Sequence, residues 1–107
     1  MTYKVVVLPA AELRLERYIA YTRDTLGNSV AAKNIAKDAR NTKKRLSECA
    51  GILPYCQNEK LAELGYRFIR FDRYEFFMVY RIEGNTVYVD GMYHDLQDFE
   101  SIMIGAE

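Results

Sequence analysis

Apolar residues change their spacing several times along the chain, and each change marks an element. "YKVVVL" (3–8) is a β-branched run closed by Pro9 and predicts a strand. From about Ala10 the positions Ala11, Leu15, Tyr18, Ile19, Thr22 and Leu26 recur at helical spacing and define one face of a helix. Gly27 suits the end of that helix, because glycine accepts the left-handed conformation of a helix stop, and Asn28 suits the cap of the next. Ala32, Ile35, Ala36, Ala39 and Leu46 form a narrow stripe of mostly small residues on a second helix, ended by Gly51 and Pro54. The two helices read as an antiparallel hairpin.

Residues 52–64 carry no clear period and predict a loop with a short turn at "NEKLAEL". β signals then return in "GYRFIRF" (65–71), "YEFFMVYRI" (74–82) and "TVYVDGMY" (86–93). Gly84-Asn85 is a two-residue hairpin signal, and Asp72-Arg73 is a weaker one. "DLQDFESIMI" (95–104) predicts a terminal helix with Asp95 as N-cap and Asp98 three residues on. The order β-α-α-β-β-β-α predicts an α+β fold. A helical hairpin covers one face of a small antiparallel sheet and leaves the other partly open.

Two tight turns fix a register. With a two-residue turn at Gly84-Asn85, Arg81 faces Tyr88, Val79 faces Asp90 and Glu75 faces His94. With another at Asp72-Arg73, Arg70 faces Glu75. Arg67, Ile69, Phe76, Met78, Tyr80, Ile82, Val87, Val89 and Tyr93 then share the core face. Phe68, Arg70, Glu75, Phe77, Val79, Arg81, Tyr88, Asp90, Met92 and His94 share the other. Arg70, Glu75 and His94 would therefore form a row across three strands. Histidine titrates near neutrality, a carboxylate can orient it or act as a base, and arginine can hold a phosphate. Such a row could cleave RNA through its 2′-hydroxyl; a solvated cross-strand pair at a strand end is the plainer reading.

Composition narrows the picture without changing it. At 107 residues the chain predicts one domain, residues 1–107. Half its residues are apolar and 28% are charged, as in a soluble globular protein. "MTYKVVVLPA" does not read as a signal peptide. Cys49 and Cys56 fit no metal spacing and predict reduced thiols in the cytoplasm. No metal and no cofactor are expected. Net charge is zero but unevenly spread. Lys33, Lys37, Arg40, Lys43, Lys44 and Arg45 crowd residues 28–45 against one acid, Asp38, whereas residues 83–107 contain acids and no Lys or Arg. The basic run is either a solvated helix face or a partner surface.

The whole pattern resembles the RelE/ParE toxins of type II toxin–antitoxin modules, a group that includes plasmid stabilisation proteins. The resemblance rests on the element order, Leu26-Gly27 between the helices, Gly65-Tyr66-Arg67, "VYRIEGNTVYV" (79–89), and the ending His94, Gln97-Asp98, Glu100. It implies a cytoplasmic toxin neutralised by a cognate antitoxin. RelE-like members enter the ribosomal A site and cut mRNA without a metal, whereas ParE-like members poison DNA gyrase. For the first activity the resemblance implies His94 as acid/base and Arg70 on the scissile phosphate; the register adds Glu75 as the partner of His94, with Arg81 as a further phosphate contact. Lys33, Lys37, Arg40 and Lys44, with Arg67, would contact RNA. Phe68 and Phe77 stand where ribonuclease members carry basic residues, and Gln97-Asp98 resembles the ParE-like branch at least as well. The leading expectation is thus a ribosome-dependent mRNA endonuclease; the alternatives are a gyrase inhibitor without catalytic activity and a non-toxic antitoxin-binding module. The apolar outer residues Phe68, Phe77, Val79 and Met92 await either an antitoxin helix or the chain's own terminal helix.

Overall fold

A computed structural model describes residues 2–104. Strand β1 (Lys4–Val7) leads into α1 (Pro9–Ala20), with Pro9 in the first turn, where its missing N–H costs nothing. A π turn, Tyr21–Thr25, extends α1. Gly27 then takes φ 65°, and the Asn28 side chain accepts from Ala31 N–H at 3.0 Å to cap α2 (Ser29–Cys49). A 3₁₀ turn at Ala50–Ile52 follows, then α3 (Glu59–Glu63), capped by Asn58 accepting from Leu61 N–H at 3.1 Å. Three strands complete the sheet: β2 (Arg67–Arg70), β3 (Phe76–Glu83) and β4 (Thr86–His94). The last helix, α4 (Phe99–Ile104), begins later than the sequence suggests. Asp95 does not cap it. Asp98 does, with Oδ1 accepting from Ser101 N–H at 3.4 Å and Oδ2 from the Ser101 hydroxyl at 2.6 Å.

The sheet order is β1-β4-β3-β2, with β1 parallel to β4 and the other pairs antiparallel. The α1–α2 hairpin lies on one face. There Ala11, Leu15, Ile35, Ala39 and Leu46 meet Ile69, Phe76, Met78, Tyr80, Val87, Val89 and Met92. Tyr80 is fully buried and donates its hydroxyl to Ala50 O at 2.7 Å, which ties the sheet centre to the end of α2. Burial pushes its phenol well above the usual range. Tyr80→Phe is expected to cost about 1 kcal/mol, since the Ala50 carbonyl loses a buried donor. The measurement is the shift in urea midpoint at unchanged slope.

The opposite face is not simply open. Phe77, Val79 and Tyr93 form a second core there with Cys56 and Leu61, and Phe68, Phe99, Met103 and Ile104 pack against it. The chain's own terminal helix thus covers much of the apolar patch expected on the outer face.

The β2–β3 turn is wider than two residues. Arg70 pairs with Phe77 rather than Glu75, and Phe71 N–H donates to Phe76 O at 2.9 Å. The reason sits on α2. Asp38 is 4% exposed, and its carboxylate accepts from the backbone N–H groups of Asp72, Arg73 and Tyr74 at 3.2, 2.9 and 3.0 Å. One buried anion therefore sets the loop's shape by gathering three donors that a tight turn would leave elsewhere. The slip is two residues, so the facing of β2 and β3 survives it.

Candidate functional site

The register of β4 decides the site. From the Gly84-Asn85 turn, Glu83 pairs with Thr86, Arg81 with Tyr88 and Tyr80 with Val89, as the sequence predicts. Val79 then pairs with Gly91, not Asp90. Asp90 is the extra residue of a β-bulge, and beyond it every side chain changes face. Met92 now opposes Met78 and joins the core under the helical hairpin, while Tyr93 opposes Phe77 on the other face. Both are the reverse of the sequence-based expectation.

Gly91 makes the bulge workable. A Cβ there would lie 2.4 Å from Tyr93 Cε2, so the tyrosine ring folds back over the glycine backbone. The ring is held between Phe77 and Phe99, with the Arg14 guanidinium 4.8 Å from its centroid. Burial raises the Tyr93 phenol pKa, and Arg14 opposes the rise.

His94 consequently opposes Phe76 on the hairpin side, with its ring edge-on at 5.1 Å between centroids. It closes the turn that leaves β4. Its Nδ1 accepts from Leu96 N–H at 3.1 Å, and its backbone N–H donates to Gln97 Oε1 at 3.0 Å. Gln97 Oε1 also accepts from the Tyr18 hydroxyl of α1. Glu75 is exposed, and its backbone carbonyl accepts from Asp95 N–H at 2.9 Å. Arg70 lies on the opposite face from His94 and pairs with Asp95 at 2.6 Å. The expected row of Arg70, Glu75 and His94 is therefore not assembled.

The other candidate cations divide in two. Arg81 is engaged by Asp90 at 3.2 Å and by Glu83, and its guanidinium lies 4.8 Å from the Tyr88 ring centroid. Arg67 clamps the connecting segment, donating to Leu53 O and to the Tyr55 hydroxyl and stacking 4.0 Å from the Tyr55 ring centroid. Lys33, Lys37, Arg40 and Lys44 remain exposed along α2, with no ion pair among the described residues.

What the fold does bring together is a cavity of about 360 Å³ beside Arg70, on the face away from the hairpin. Phe68, Phe77 and Phe99 line it, as do Asp95, Asp98 and Glu100. Cys56 also lines it; burial first, and Glu100 second, push its thiol up to about 11, so it stays protonated at neutral pH and is a poor nucleophile. Reading the sequence as unbroken alternation missed Asp90, Asp95 and Gln97 as the residues that organise this end of the sheet. One signal for the bulge was present. The apolar phase runs Val87, Val89 and then Met92, slipping by one at Asp90-Gly91.

Among the described residues no group of three or more His, Cys, Asp or Glu is placed to hold a metal ion, and no helix is long and apolar enough to cross a membrane. No family model matches the chain, and no curated protein does. Its fold is nonetheless that of a solved structure from the chromosomal ParDE TA system of P. aeruginosa. The two are 16% identical with a TM-score of 0.71, over 87% of this chain and 96% of that one. The architecture is thus RelE/ParE-like, an α+β fold with a helical hairpin on a four-stranded sheet.

Proposed function

We propose that this chain is the toxin of a type II toxin–antitoxin module, held inactive by an antitoxin, and that it acts in the cytoplasm by gripping a protein target. DNA gyrase is the target class that the ParE-like branch implies. The structural likeness to a ParDE system supports the toxin reading. The bulge at Asp90 carries the choice of mechanism, because it puts His94 and Arg70 on opposite faces. RNA cleavage is accelerated by positive charge free to meet the phosphate as it turns more negative. Here both candidate arginines, Arg70 and Arg81, already face carboxylates. One observation favours the ribosome-dependent mRNA endonuclease as a second reading. The exposed stripe of Lys33, Lys37, Arg40 and Lys44 could meet rRNA phosphates through sequence-blind, salt-sensitive attraction.

The test is induced expression of the wild type and of His94→Ala. Both are expected to arrest growth equally, to raise a DNA-damage response and to leave mRNA intact by primer extension. The purified proteins should inhibit gyrase supercoiling alike. Cleavage of mRNA by the wild type that disappears in His94→Ala, while antitoxin binding persists, would reverse the choice in favour of the nuclease. Absence of any growth defect would leave the non-toxic binding module.

A further inference from the structure

The cavity beside Arg70 has a chemistry that the toxin reading leaves unused. Its walls are aromatic: Phe68, Phe77 and Phe99. Its charges are unequal, three carboxylates (Asp95, Asp98, Glu100) against the single guanidinium of Arg70. That guanidinium shows what the site accepts. Its Cζ lies 6.0 Å from the Phe68 ring centroid and 5.8 Å from that of Phe77, and its NH1 bonds Asp95 at 2.6 Å. Aromatic faces attract cations, and carboxylates hold guanidinium groups by paired hydrogen bonds.

Two groups are still uncommitted. Asp98 caps α4 through Ser101, but Glu100 is half-buried and has no hydrogen-bond or ion-pair partner among the described residues. Cys56 is 3% exposed and lines the same cavity, and its thiol meets no partner from another residue among the described residues. An anion entering here meets surplus negative charge. A flat, weakly hydrated guanidinium meets an unpaired carboxylate and the Phe99 ring.

We propose that this cavity receives an arginine side chain of a partner polypeptide, with Glu100 as its principal carboxylate, Asp98 beside it and Phe99 as its aromatic wall. The inference stands on the cavity alone and does not depend on which toxic target is correct.

The test is an NMR titration of the full ¹⁵N-labelled chain with the capped tripeptide acetyl-Gly-Arg-Gly-amide. The control is the same peptide with neutral, nearly isosteric citrulline. The arginine peptide is expected to shift the Cys56, Phe99 and Glu100 amides saturably, with weaker binding as salt is raised. Glu100→Gln, with the rest of the spectrum unchanged, is expected to weaken binding about tenfold, the loss of one charge-assisted pair. Phe99→Leu, which keeps the apolar packing, should weaken it less. Equal shifts with citrulline, undiminished binding by Glu100→Gln, or the same amides responding instead to inorganic phosphate would each overturn the proposal.

Discussion

Asp38→Ala is expected to destabilise the protein by about 3 kcal/mol, because hydrogen bonds to a buried charge are worth more than neutral ones and their loss strands three donors. For a domain of this size the thermal midpoint should fall by on the order of 10–20 °C. The carboxylate is 4% exposed and gathers the N–H groups of Asp72, Arg73 and Tyr74, so alanine leaves all three facing a hole. Nothing nearby replaces them. The Thr42 hydroxyl already donates to the Asp38 carbonyl at 2.8 Å and accepts from Arg45 at 3.3 Å, and the Arg45 guanidinium is a donor that cannot stand in for a carboxylate. Asp38→Asn should fall between, since one amide oxygen remains an acceptor while its NH₂ opposes the loop's own donors. Urea denaturation of the three proteins measures this. A loss below about 1 kcal/mol for alanine would mean that water takes over the loop N–H groups and that Asp38 does not set the turn.

Gly91→Ala is the second large effect, with an expected cost of about 2 kcal/mol from overpacking. The added Cβ would sit 2.4 Å from Tyr93 Cε2, and the ring has little room to retreat. Tyr93 is 4% exposed, with ring centroids 5.9 Å from Phe77 and 5.7 Å from Phe99. A double-mutant cycle isolates the clash. Tyr93→Ala alone should be destabilising, but adding Gly91→Ala to it should cost far less than it does in the wild type. Additive losses would place the tyrosine ring elsewhere and remove the physical reason for glycine at this position.

Both variants probe features that local sequence signals describe poorly, and the contrast is instructive. Asn28 capping α2, Gly27 at positive φ and the hairpin at Gly84-Asn85 were legible because each needs only a few consecutive residues to act. The facing of α1 and α2 was legible because helical periodicity averages over many positions. The β2–β3 turn was not, because the group that shapes it lies 34–36 positions away on α2. His94 Nδ1 accepts from Leu96 N–H in the turn that leaves β4, a contact that strand alternation does not announce. The face of His94 was misread because one inserted residue, Asp90, inverts everything after it. The row of catalytic groups depended on two registers at once. The two-residue error in β2–β3 kept the facing of those strands, whereas the one-residue bulge in β4 did not.

The second core has its own thermodynamic consequence. The cluster around Phe77, Val79 and Tyr93 is sealed on its outer side partly by α4, a six-residue helix docked through Phe99, Met103 and Ile104. A helix that short has little intrinsic stability and holds its shape mainly through docking. Undocking it exposes one small apolar surface and leaves the sheet and the helical hairpin in place. The molecule therefore has a sub-global opening, cheaper than full unfolding, whose hydrogen-exchange signature would be early loss of protection in α4 while β3 stays protected.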